Sequence, residues 1–437
     1  MYFLFAFLVL CLAAIGYSHP SGPSASRPVS IPAFWTTYGY VFNITVGTPP
    51  QQLAVLSDWT WVSLFTRSGR CNDVYDVSRC VTEGQEYFDE KKSTTFKNTT
   101  LGSFTWPNTA FAPDFTVDYG RDSVCTGTLC TKRTILQLSD FPYDGDIIPI
   151  QEFGGIYGLA PVTPHADPRF VPHFYQAWKR GETSPRVGWN SCAKLSSSQP
   201  CLDGDAKYVF GGSDTTLYNQ SELTWFRTKN TSYITATKSL YYPQPNDLWA
   251  TRWTGGWIAT QDGNWSRNYA VDFTNVGHDK KAITTTAMAI LDEGSEGLGT
   301  ALSADAYAQM VQMTSASPAS NETIAAIRSQ GTSSGTGTQQ QPWYLVNCTN
   351  TAHFPSIVYE LDGRANYTVG PEDYIQKLYA TGECYLNINI WPYVDQKGNW
   401  KKGNSKVLLL GLGFLQKLYV VFDYEKSKFG LAPLKAQ

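Results

Sequence analysis

The chain has 437 residues, a formal net charge of −3, 16% charged residues and 14% aromatic residues. That length exceeds one compact core and predicts two domains or lobes. A near-neutral balance without a basic patch argues against nucleic acid and anionic membrane surfaces as partners, and sparse charge with abundant Gly, Thr, Ser and Tyr suits a mainly β secreted protein.

Met1 to Gly16 is an unbroken apolar run, too short to span a bilayer comfortably, followed by polar residues. It reads as a signal peptide, with cleavage after Ser18 and Gly16 as the alternative; no other run is long enough to cross a membrane. His19 to Ala33 is Ser- and Pro-rich and reads as an extended leader. Trp35 to Val46 alternates as strand, Gly47-Thr48-Pro49-Pro50 is a turn, and Gln52 to Leu56 is a strand that delivers Asp58. Phe115 to Tyr119 is a strand, Gly120 to Asp122 a turn, and Gly127 to Gln137 returns, giving a β-hairpin.

Gly154 to Pro161 places glycines where a tight strand-to-helix turn would need them. Phe170 to Arg180 is the clearest helix of the first half, with Phe174, Ala177 and Trp178 apolar. Leu248 to Ile258 is Trp-rich and strand-like, and Ala289-Ile290-Leu291 leads into Asp292. A helix follows over Ser303 to Met313, Thr332 to Gln341 is low-complexity, and strands end the sequence over Val407–Leu410, Leu418–Phe422 and Phe429–Leu431. There is one coarse duplication: an apolar strand and then an acid, once per half. Two carboxylates held together share a proton and do acid–base work on a water.

Cys11 leaves with the signal. The remaining cysteines form sequence-local pairs, Cys71 with Cys80, Cys125 with Cys130, Cys192 with Cys201 and Cys348 with Cys384, and proximity is the only guide to that pairing. A zinc site is the weaker reading, since no CxxC occurs and histidine is scarce; neither metal nor cofactor is expected. Asn43, Asn98, Asn219, Asn230, Asn264, Asn321, Asn347 and Asn366 each begin a glycosylation sequon, which predicts a glycoprotein.

These residues, in this order, resemble the pepsin-like aspartic peptidase family from about Trp35 to Leu434. Val46 to Gln51 resembles the entry hairpin, Asp58 falls at the first catalytic aspartate, and Tyr119-Gly120 at the flap. Gly155 to Ala160 resembles the first glycine turn, Asp292-Glu293-Gly294-Ser295 the second catalytic motif, and Leu410-Gly411 through Pro433 the C-terminal signature. The resemblance implies an all-β chain with a few short helices in a bilobal pepsin-like fold, two β-barrel-like lobes around a cleft. After a signal at 1–18 and a leader at 19–34, residues 35–185 would form the lobe with Asp58 and the flap, and 186–437 the lobe with Asp292. It also implies an extended polypeptide bound in the cleft against Tyr119, Gly120, Gly294 and Ser295, an Asp58/Asp292 dyad activating water at acid pH, and a secreted monomer.

The family pattern at each acid is Asp-Thr/Ser-Gly-Ser/Thr. Here the first site reads Asp58-Trp59-Thr60-Trp61, Glu293 replaces the second Thr, and Phe65 stands where the family has the Trp that braces the flap Tyr. The Thr beside each acid makes a cross-lobe hydrogen bond that Trp59 cannot make, and Glu293 would need a different geometry. About sixteen residues between Ser18 and Trp35 are too few for a basic inhibitory propeptide. These departures keep a second reading open, an inactive binding or inhibitor protein on the same scaffold. A carbohydrate-binding β protein, resting only on the many tryptophans, ranks last.

Overall fold

A computed structural model describes residues 27–36, 39–70, 87–106, 115–139, 153–163, 166–228, 248–260, 288–293, 300–302, 304–330, 342–349, 351–390 and 407–435. The expected signal, the Cys71–Cys80 loop, the low-complexity stretch, Asn230, Asn264, Gly294 and Ser295 lie outside these residues. The described chain is mainly β. Its strands begin with β1 (Val29–Thr36), β2 (Gly39–Val46), β3 (Gln51–Asp58), β4 (Leu64–Arg67), β5 (Lys97–Asn98), β6 (Phe104–Trp106), β7 (Phe115–Thr126), β8 (Leu129–Ser139) and β9 (Gly155–Gly158). They continue through β10 (Arg186–Ser191), β11 (Ala206–Phe210), β12 (Thr224–Arg227), β13 (Ala250–Ala259) and β14 (Met288–Leu291).

All of these but β13 and β14 belong to one 14-stranded sheet, which the strands Leu418–Asp423 and Lys428–Pro433 complete. Residues from both halves of the sequence therefore share hydrogen-bonded partners. β10 pairs antiparallel with Leu418–Asp423 on one side and with β11 on the other. The stretch read as an extended leader is corrected here, because Val29 to Ala33 pairs residue for residue with Phe210 to Ala206. Its alternating side chains bury Ile31 and Ala33, which the Ser- and Pro-rich composition masks.

Each acid ends a buried strand that has a parallel neighbour. β3 buries Leu53 and Val55 by alternation and pairs parallel with β9, with Asp58 opposite Gly158. β14 lies parallel to Val407–Leu410, and the Asp292 amide donates to the Leu410 carbonyl (3.1 Å). The glycines at 155 and 158 do not make a strand-to-helix turn. They lie within β9, where β4 presses so closely that a Cβ at Gly155 would sit 2.0 Å from the Phe65 carbonyl oxygen.

The hairpin turn also differs from expectation. β7 runs unbroken through Gly120 to Asp122 with an irregularity between Asp122 and Val124, and the turn is at Gly127, whose φ of +57° suits glycine. The two helices expected from periodicity are α1 (His173–Lys179) and α2 (Ala304–Met313). A carbonyl of the first half, that of Leu159, receives the Trp249 indole N–H (2.8 Å) and the Tyr424 hydroxyl (2.6 Å) from the second.

Candidate active site

Asp58 stands at the end of β3, buried, and its Oδ1 accepts three hydrogen bonds. The Thr60 amide donates at 2.7 Å, the Thr60 hydroxyl at 2.7 Å and the Trp61 amide at 3.0 Å. Burial raises the Asp58 carboxyl above its ordinary range, and these three donors pull against the rise. Thr60 therefore supplies both the amide that the family's glycine would offer and a hydroxyl that orients the carboxylate.

The residue after Asp292 reaches the residue after Asp58. Glu293 is fully buried, and its Oε2 accepts the Trp59 backbone N–H at 3.2 Å. Its Oε1 lies 2.8 Å from the Ser57 hydroxyl and 3.2 Å from the Tyr208 hydroxyl, and Ser57 and Tyr208 are themselves 2.6 Å apart. Burial first, then the charges of Asp58 and Asp292, hold the Glu293 carboxyl well above the usual carboxylate range. Asp58, Asp292 and Glu293 thus form one buried carboxyl group cluster drawn from both halves of the chain.

The two tryptophans turn away from this cluster into apolar surroundings. The Trp59 ring packs edge-on against Trp189 (5.1 Å) and Phe422 (4.8 Å), and its indole N–H donates to the Tyr208 hydroxyl at 3.2 Å. Trp61 lies against Trp106 (4.7 Å) and Phe65 (6.1 Å) in a separate aromatic cluster with Phe170 and Tyr119. Both rings fill core, so their size is accounted for by packing.

Tyr119 and Gly120 are not at a hairpin tip. They sit inside the sheet, with Gly120 paired to Asn98 on one side and Leu136 on the other. The Tyr119 ring is 3% exposed, and its hydroxyl accepts from the Gln137 amide at 3.4 Å, in place of the indole N–H that Phe65 lacks. The turn expected at Gly120 is therefore absent there, and the two residues lie along one strand of the β7–β8 hairpin. β7 also pairs with β6, with Trp106 opposite Phe115.

The bridging roles of Ser57, Tyr208 and Gln137 were not anticipated. Ser57 carries a weak signal, being a polar residue on the buried end of an apolar strand. Tyr208 carries none, because only the fold brings it to residues 85 to 151 positions away. Disulfides join Cys125 to Cys130, Cys192 to Cys201 and Cys348 to Cys384. Among the sequon asparagines, Asn43, Asn98, Asn219, Asn321, Asn347 and Asn366 have exposed side chains.

A family model described as eukaryotic aspartyl protease matches residues 39–244 and 250–434. The chain is 52% identical over 420 residues to "Secreted aspartic protease LUC8" of Fusarium sp, covering 96% of this chain and 93% of that protein. It is 45% identical over 426 residues to "Secreted aspartic protease FUS4" of Gibberella moniliformis, covering 97% and 94%. It is 27% identical over 432 residues to "Aspartic protease-like protein pytH" of Aspergillus terreus, covering 94% of each.

Proposed function

The chain belongs to the eukaryotic aspartyl protease family, and on that basis we propose that it is a secreted endopeptidase using Asp58 and Asp292 as its acid dyad. One observation carries this reading: the residue beside Asp292 bonds the residue beside Asp58, which draws the two acids from opposite halves of the chain to one site. One carboxyl is ionised and takes a proton from a water; the water oxygen attacks the peptide carbonyl. The other carboxyl is protonated and donates to the carbonyl oxygen as it gains charge, and the proton taken from water then leaves with the amine. With Oδ1 committed to Thr60 and Trp61, Asp58 offers Oδ2 to the reaction.

An extended polypeptide occupies the cleft between the lobes. The folded unit is a monomer divided near residues 185 and 186, and its exposed sequon asparagines carry glycans. Besides the short leader, the inactive alternative drew on Trp59, Trp61, Phe65 and Glu293. The packing of the two indoles, the Gln137 substitute for a missing N–H, and the Glu293 bridge remove that support.

The test is cleavage of a denatured protein at acid pH by the disulfide-bonded chain. Asp58→Asn and Asp292→Asn should each lower kcat by at least ~10³-fold, and a peptide-like transition-state analogue should block the wild type. Absence of cleavage by correctly folded wild type across the pH range would overturn the reading.

A further inference from the structure

We propose that Glu293 is a positioning residue that acts as a neutral carboxylic acid, its own proton closing a ring of three oxygens with Ser57 and Tyr208 while its other oxygen holds the Asp58 loop through the Trp59 amide. The inference rests on the dyad reading above and adds to it a third carboxyl with a fixed protonation state.

Counting hydrogens carries it. Ser57 Oγ, Tyr208 OH and Glu293 Oε1 lie 2.6, 2.8 and 3.2 Å apart along the three edges of a triangle. Each edge needs one hydrogen. Ser57 and Tyr208 bring one each, and the Trp59 indole N–H is spent on the Tyr208 oxygen from outside the ring. Glu293, as a carboxylic acid, is the member of the ring that can supply a third. An ionised Glu293 would leave two buried oxygens facing each other without a hydrogen, which low surrounding polarity makes costly.

The charge around the site agrees. A charge on Glu293 would repel those of Asp292 in its own segment and Asp58 at the end of β3, and would bear on Tyr208 of β11, Tyr40 of β2 and Tyr424. Two of these neighbours are the acids that must share one proton, so a third negative charge would disfavour the ionised member of the dyad. Burial keeps Glu293 protonated well above the usual carboxylate range. As pH rises far enough to remove that proton, the ring opens and the dyad gains a repelling neighbour.

The experiment measures kcat and KM across pH for the full chain and two variants. Glu293→Ala should lower kcat ~10²-fold while KM moves less than ~3-fold, the mark of misplaced catalytic groups. Glu293→Gln keeps an acceptor for Trp59 and a donor for the ring, and it should recover most of that loss. A Gln variant as impaired as Ala overturns the proposal. A second readout does not need activity: at about pH 6 the infrared spectrum should hold a protonated-carboxyl C=O stretch that Glu293→Gln removes. A wild-type spectrum without that band overturns the proposal even in an active enzyme. Wild type that shows the band and cleaves nothing refutes the dyad and leaves the proton on Glu293 supported.

Discussion

At Asp58 one oxygen receives three hydrogens, and two of them come from Thr60. Hydrogen bonds to the charged form lower a carboxyl's pKa, so Thr60→Val, which removes the hydroxyl and keeps the amide, should let Asp58 hold its proton to higher pH. With about 1.5–3 kcal/mol in such a bond, the acid limb of kcat/KM should rise by about one pH unit or more, and Thr60→Ser should restore it. The same carboxyls bear on stability. Burial raises both Asp58 and Glu293 above their unfolded values. A raised carboxyl adds stability fully below its unfolded pKa and loses it as pH climbs through the folded one. Through these groups, the change in urea resistance on going from about pH 7 to about pH 4 should be more favourable in wild type than in Glu293→Gln.

Helix α1 carries a group of the opposite sign. His173 is fully buried, its Nδ1 2.9 Å from the Tyr157 hydroxyl, and burial pulls its pKa down to about 3. A depressed histidine adds stability above its unfolded value and loses it as pH falls toward the folded one. Between pH 6.5 and about pH 4 this amounts to roughly 3 kcal/mol. His173→Phe should remove that loss, which a comparison of urea midpoints for the two proteins across the interval would read directly. At this scale the sequence was unevenly legible. α1 and α2 followed from apolar spacing, and the strands leading to both acids from short apolar runs ending in Asp. The turn at Gly127 was missed because Gly120-Arg121-Asp122 has turn chemistry, which the pairing of β7 on both edges overrides. β1 was missed because Ser and Pro mask an alternating pair of buried residues. The Glu293 bridge depends on distances between segments far apart in sequence, and no local pattern encodes it.

Across the whole molecule, the disulfides differ in how much chain they close. Cys348–Cys384 spans 36 positions and Cys125–Cys130 only 5. On loop-closure entropy the longer bond is worth about 4 kcal/mol and the shorter about 2 kcal/mol. Removing the longer pair by Cys348→Ala with Cys384→Ala should therefore lower the urea midpoint about twice as far as Cys125→Ala with Cys130→Ala. The supports of the first acid are more widely drawn than any disulfide: Trp59 rests on Phe422, Leu159 is bonded by Tyr424, and β10 waits for Leu418–Asp423. During synthesis, then, the ribosome has made both aspartates long before it makes the residues that brace Asp58. A nascent chain emerging into the secretory pathway carries its acids in an unbraced state, with β10 holding an open edge. Phe422, on which Trp59 rests, and Tyr424, which bonds Leu159, are thus made long after both aspartates.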